Sequence, residues 1–304
     1  MEFMKLKYLI LKPVRKVISS VEQGFQVYLF LVDILDKASF KRFPKAIAKL
    51  MEIPGRQKIT VLLHGKNYSF RYYSEPNDQL NISCRNNLLQ WEPKSRAIWS
   101  ILSINSKNIM DIGAYTGVYA LTAASSNSNA RIYAIEPNKD MAQQLLKNIE
   151  INYLNSNIEV HNYALWKKDT VLKFYSYKDS SKNSLFSKDA EPESFREIEA
   201  FAIDSRSEYK NVDLIKIDVE NAELNVLEGA RILLRSKSPI ILMEALTIEE
   251  LNAQRKFLKE FSYLDPIQVA ESGSDKRNYI WTTSVNHKRV QESMSKAPLL
   301  MTES

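Results

Sequence analysis

The sequence predicts an α/β fold: a doubly wound, mostly parallel sheet with helices on both faces, preceded by a helical and β-hairpin appendage. Two observations lead there. From residue 107 short apolar runs alternate with amphipathic helical patterns, the rhythm of strand–helix–strand units. A chain of 304 residues that is 44% hydrophobic also has enough apolar material for one large domain and an appendage. With 26% charged residues and only seven glycines, neither disorder nor low complexity competes with that assignment.

Residues 1–55 read as a basic arm of two or three helices, punctuated by Pro13, Pro44 and Pro54. Residues 56–104 lead into the core. There "KITVLLH" and "YSFRYYS" flank His64, Gly65, Lys66 and Asn67, a hairpin signal. "EPKSRAIWSILS" follows as a helix with proline near its start, where a missing N–H costs least. Residues 105–284 form the main domain. Its strands are "KNIMDI", "RIYAIE", "IEVHNYAL", "VDLIKIDV" and "PIILMEAL"; its helices are "TGVYALTAASS", "NKDMAQQLLKNIEINYL", "NAELNVLEGARILL" and "TIEELNAQRKFLKEF". One stretch breaks the rhythm. "TVLKFYSY" and "SFREIEAFAI" read as strands joined by a long polar loop, where ordinary crossovers are short. Such a loop either covers a ligand or is a decorative hairpin. "RNYIWTTS" is a last strand, and residues 285–304, without a sustained apolar pattern, are expected as a disordered tail.

The net charge of +6 is unevenly spread. Residues 1–66 hold thirteen Lys/Arg and five Asp/Glu, so the rest of the chain is near −2. The arm is therefore the part suited to an anionic membrane surface, nucleic acid or an acidic partner. The acidic balance of the sheet half and the lack of a recognisable RNA module count against nucleic acid. "FQVYLFLVDIL" is interrupted by Asp33 and too short to span a bilayer, and "KLKYLILKPVRKV" lacks a signal-peptide core. The lone cysteine, Cys84, excludes a disulfide framework and a thiolate zinc site, and His64, His161 and His287 show no metal-ligand spacing. The expectation is a soluble cytoplasmic protein, at most peripheral to a membrane. Nothing in the sequence fixes its oligomeric state.

In this architecture ligands bind beyond the carboxyl ends of the strands, near the point where strand order reverses. The first strand ends in "MDIGAYTGVYA", where Gly113 and Gly117 let a ligand approach the backbone. The second ends in Glu136, twenty-three residues after Gly113, a carboxylate placed to accept both hydroxyls of a ribose. Together they point to an adenosine-containing ligand. A dinucleotide site wants a third glycine and a pyrophosphate-binding helix start, but residues 115 and 118 are Tyr and Val, and no basic residue lies between Asp111 and Arg131. With Asp111 before the turn, S-adenosyl-L-methionine fits and NAD fits poorly.

The strings "IMDIGAYTGVYA", "YAIEPN", "NYALWKKD", "LIKIDVENAELNVLEGA" and "ILMEAL", in that order, resemble the FkbM-type methyltransferases over roughly residues 90–250. The resemblance implies a Rossmann-like class I fold and S-adenosylmethionine-dependent O-methylation, mostly of sugars or other hydroxylated natural products. It implies that Asp111, Gly113 and Gly117 line the methionine end of the cofactor, that Glu136 holds the ribose, and that Asn162 and Ala164 lie along the adenine. Asp218 and Glu220 would stand at the reactive end, with Glu244 at the end of the next strand. Two positions depart from the family pattern: Tyr115 replaces Asn, where its bulk would stack on the ligand or narrow the pocket, and Asn221 replaces Gly.

Methyl transfer to a hydroxyl needs aligned reactants and a base for the hydroxyl proton. Asp218 is the first choice, with His64 and His161 expected to be structural or solvated. Each acid also has a plainer reading. Glu220 and Glu223 fall where the first turn of a helix favours carboxylates, Asn221 is suited to cap that helix, Glu244 to pair with a lysine, and Lys216 to snorkel out of the sheet. No metal is expected, since an ion bridging Asp218 and Glu244 would lack a third ligand. The sequence therefore favours an O-methyltransferase acting on a sugar, glycan or other polyhydroxylated metabolite. The alternatives are a non-catalytic binding protein with a degenerate cofactor turn and an RNA methyltransferase using the basic arm.

Overall fold

The computed structural model describes residues 59–65, 68–74, 92–176, 194–270 and 277–301. The basic arm, Cys84, the turn at 66–67 and the polar loop between the paired strands lie outside the described residues. The expected hairpin is present: β1 (Ile59–Gly65) pairs antiparallel with β2 (Tyr68–Ser74). Helix α1 (Pro93–Ile104) follows, with proline in its first turn as expected.

Strand–helix alternation then builds one sheet. Its first half runs β3 (Asn108–Ile112), α2 (Val118–Ser126), β4 (Arg131–Ile135), α3 (Lys139–Glu150) and β5 (Ile158–His161). Its second half runs β9 (Leu214–Ile217), α4 (Glu223–Glu228), α5 (Arg231–Lys237), β10 (Ile240–Glu244), α6 (Ile248–Lys259), β11 (Ile267–Ala270) and β12 (Arg277–Trp281). Between the halves, β6 (Ala164–Leu165), β7 (Thr170–Ser176) and β8 (Ser194–Phe201) make a separate small sheet in the order β6-β8-β7.

The seven-stranded order is β11-β12-β10-β9-β3-β4-β5. Strands β10, β9, β3, β4 and β5 pair in parallel, and β12 is antiparallel to both of its neighbours. The chain steps outward from β3 to β5, then returns to β9 on the other side of β3. Strand order reverses between β3 and β9, which is where this fold places ligands.

Successive strand residues serve opposite faces. Ile109 packs with Trp99 of α1, Leu121 of α2 and Leu145 of α3, whereas Met110 packs with the layer that holds Val226, Leu233 and Leu258. The doubly wound α/β assignment, with helices on both faces, is thus what the residues form.

Three expectations need correction. "NAELNVLEGARILL" is two helices, because the chain breaks at Gly229. A Cβ there would lie 2.1 Å from the Trp166 carbonyl oxygen, and the Gly229 carbonyl accepts a hydrogen bond from Asp204 N. The supposed disordered tail carries a helix, α7 (Ser284–Met301). Among its described side chains it buries a thin stripe, Val290, Ser293 and Ala297, too sparse for an apolar pattern to reveal. Arg289 ties it to α1 by donating to the Leu102 carbonyl and, at 2.7 Å, to Ser106 Oγ. Strand β11 was also not foreseen. It is short and pairs only with β12. No helix among the described residues is long and apolar enough to cross a membrane.

Candidate functional site

Two turns meet at the reversal point. The first, residues 113–117, joins β3 to α2. Gly113 has φ 77°, and a Cβ on it would lie 1.8 Å from the Asp218 carbonyl oxygen, so only glycine fits between the turns. Gly117 has φ 99°, and its missing Cβ leaves room for Leu145 Cδ1 at 2.2 Å. The turn is braced from behind. Asn148 of α3, fully buried, donates to the Thr116 carbonyl at 2.9 Å, and the Tyr72 hydroxyl of β2 hydrogen-bonds the Thr116 hydroxyl. The hairpin therefore supports the glycine turn.

Glu136, at the end of β4, closes the same space. Its carboxylate accepts from Tyr115 N and Asn138 N, each at 2.7 Å. Burial pushes its pKa up to about 7, with these two amides pulling the other way. Asn162 donates to the Glu136 and Pro137 carbonyls at 2.8 and 3.1 Å. Arg196 of β8 reaches the same segment, donating to the Pro137 carbonyl at 2.9 Å. Ala164 is buried in β6, opposite Ala200.

The second turn follows β9. Glu220 and Asn221 both adopt left-handed backbone, φ 56° and 77°, and Tyr115 in the facing turn has φ 50°. Three non-glycine residues in this strained region gather at one place, as they do where a site is pre-organised. Asn221 is a residue that tolerates this conformation. It does not cap the helix, however. Helix α4 begins at Glu223 after Ala222, so Glu220 also lies outside the first turn. Glu223 is a clamp: its buried carboxylate accepts from Val219 N at 3.0 Å, and burial raises its pKa to about 7.

The electrostatic centre is Lys216. It does not snorkel. Its side chain is 1% exposed, with Nζ 2.9 Å from Asp218 Oδ2 and 5.0 Å from the centre of the Tyr119 ring. Asp218 is partly open, with 23% of its side chain exposed. Asp111, opposite Lys216 across β3 and β9, is buried and accepts from Ala120 N at 2.9 Å. Burial raises its pKa to about 7, against the pull of the Lys216 charge. Glu244, buried at the end of β10, is felt electrostatically by Lys216 and accepts a bond from Gln254 on its backbone carbonyl, at 2.9 Å.

The structure thus brings Asp111, Gly113, Tyr115, Gly117, Glu136, Asn162 and Asp218 into one linked set. Glu220 lies in the second turn, two residues after Asp218, and Ala164 lies in the separate small sheet. His161 stands in an aromatic group with Tyr133, Tyr163 and Tyr209, and burial pushes its pKa down, which is a structural setting. Among the described residues no group of three His, Cys, Asp or Glu could hold a metal ion.

Sequence reasoning did not assign roles to Glu92, Tyr119 and Arg196. Glu92 is buried before α1 with φ 44°, and its carboxylate accepts the Tyr119 hydroxyl. Only Arg196 left a signal: it shares the less exposed face of β8 with Ile198 and Ala200, readable from two-residue alternation.

Among protein families, the Methyltransferase FkbM domain matches residues 111–267. No curated protein matches. Among solved structures, methyltransferase FkbM from Methylobacillus flagellatus KT is 18% identical, with a TM-score of 0.46 over 67% of this chain and 54% of that one. This chain therefore spans about half the length of that protein. The O-methyltransferase from Bacillus cereus in complex with SAH is 17% identical, with a TM-score of 0.41, over 67% and 86% of the two chains. TYW2 from M. jannaschii in complex with AdoMet is 12% identical, with a TM-score of 0.43, over 75% and 86%.

Proposed function

Because the chain belongs to the FkbM methyltransferase family, which uses S-adenosylmethionine, we propose that it transfers a methyl group to a hydroxyl of a sugar, glycan or other polyhydroxylated metabolite. The observation that carries the hydroxyl acceptor is Asp218: a partly exposed carboxylate at the strand-order reversal, ion-paired with a buried lysine. Oxygen in a neutral hydroxyl must lose its proton as it is methylated, so a carboxylate at that point has work to do.

The residues fit the cofactor. The glycine turn admits no side chain at 113, and Glu136 presents a buried carboxylate at the end of the neighbouring strand, where ribose hydroxyls would replace or join its backbone donors. Asp111 adds negative potential beneath the turn, suited to a cationic ligand. When bound, S-adenosylmethionine would supply an electrophilic methyl carbon on a sulfonium, with a neutral thioether as the leaving group. The chain's own contribution is to align the hydroxyl and take its proton onto Asp218, from which it passes to solvent.

The test is calorimetric titration with S-adenosylmethionine and, separately, NAD. Selective binding of the first is expected. Glu136→Ala removes charge-assisted hydrogen bonds worth about 1.5–3 kcal/mol, so affinity should fall about ten- to a hundredfold. Unchanged affinity in a folded variant would remove the ribose assignment. With methyl glycosides as acceptors, Asp218→Asn should abolish turnover while retaining the cofactor; normal turnover would remove Asp218 as the base.

A further inference from the structure

Lys216 is poorly explained as scaffold. It occupies the sheet's central strand between Ile215 and Ile217, with Asp111 and Leu242 as its cross-strand neighbours. Burying an ammonium is costly, and well-packed apolar replacements of buried ion pairs are often neutral or stabilising. Stability alone gives this position no reason to be lysine.

Its surroundings give one. Charged and titratable groups face it from the neighbouring elements: Glu92 before α1, Asp111 in β3, Tyr119 in α2, Asp218 after β9 and Glu244 in β10. Burial pushes the ammonium toward its neutral form, but Asp218, Glu92 and Glu244 outweigh it and hold the pKa above the usual lysine value. The Tyr119 ring covers the ammonium, and the Tyr119 hydroxyl is anchored on Glu92. Glu92 itself is buried in left-handed backbone, a strained conformation for a glutamate. At the open end this assembly reaches Asp218, through the ammonium's bond to Asp218 Oδ2.

We propose that Lys216 is a positioning residue for methyl transfer: held from behind by Tyr119 and Glu92, it fixes the Asp218 carboxylate in one orientation at the strand-order reversal. This rests on Asp218 being the base. A carboxylate turning freely on its side-chain torsions would be aligned with an acceptor hydroxyl only part of the time, and alignment is a large share of such catalysis. Glu92 precedes the matched family domain, so the segment leading into the core contributes to the reaction site.

The experiment compares the full-length protein with Lys216→Met, which is neutral and of similar length. Carbon-13 in aspartate carboxyls, with Asp218→Asn to identify the signal, reports the Asp218 titration directly. In Lys216→Met the titration should move up by about one pH unit or more, the loss of a neighbouring ammonium. With Glu92, Asp111 and Glu244 left buried without their cation, the melting temperature should fall. With radiolabelled S-adenosylmethionine and methyl α-D-glucopyranoside, kcat should fall about a hundredfold while KM for the cofactor changes less than about twofold. An unmoved Asp218 titration overturns the proposal, as does a loss of cofactor affinity in step with kcat. If the wild type leaves the glucoside unmethylated while the Asp218 titration still moves, the positioning role stands and the acceptor reading fails. Should Lys216→Met not fold, the wild type decides: its Lys216 must hold its proton beyond the usual lysine range, and an amine that loses it below that range overturns the proposal.

Discussion

Asn221 shows what a single backbone angle demands. At φ 77°, in a place where the side chain is exposed, it needs a residue that tolerates left-handed backbone. Asn221→Gly should keep or slightly raise the melting temperature, whereas Asn221→Val should cost about 1–2 kcal/mol, measured by urea unfolding. Gly113→Ala should be worse: it adds strain and forces the two turns apart, so cofactor affinity should fall together with stability. At this scale the sequence was partly legible. Gly113, Gly117 and Glu136 announce themselves by type and spacing. That Glu220 and Tyr115 also bend left-handed is invisible, because nothing about those residue types favours it. Lys216 was conspicuous, but whether a lysine leaves a sheet or stays within it depends on Asp218, Tyr119 and Glu92, the last of them more than a hundred residues earlier in the chain.

At the scale of elements, local signals performed well and non-local ones did not. The proline of α1 and the hairpin of β1 and β2 stand in the chain beside the structure they shape. Helix α5 is different, since its exposed N–H groups at Ile232 and Leu233 are accepted by Asp204, at 2.7 and 3.0 Å, from a segment far upstream. No window of sequence around residue 231 contains that cap. Asp204→Ala should therefore destabilise the protein by about 1 kcal/mol, like the loss of an ordinary N-cap, with cofactor binding intact. A second element-scale prediction concerns β8. Arg196→Ala removes a donor to the Pro137 carbonyl, so it should loosen the segment that carries Glu136 and weaken S-adenosylmethionine binding several-fold in calorimetry; unchanged binding would restrict Arg196 to packing on Phe174.

For the whole molecule, three buried carboxylates, Asp111, Glu136 and Glu223, are each pushed up to about 7. Their values in an unfolded chain are near 4, so between those limits the folded state holds protons that the unfolded state has released. These three groups make stability fall as pH rises from about 4 to 7, with His161, whose pKa burial lowers, working the other way, and Glu136→Gln should flatten the slope. Melting temperatures across that range check it; a rise with pH would contradict the burial of these groups. The alternation of strands and helices was enough to foresee the parallel core, yet the sheet's far edge was not, because β12 enters between two strands made before it. Its placement bears on how the protein is synthesised. As the chain leaves the ribosome, β10 has a partner on one side only and β11 has none, until residues 277–281 emerge. A nascent chain paused at that stage carries open strand edges, available to other chains and to chaperones. Residues 277–281 are what join β11 to the rest of the sheet.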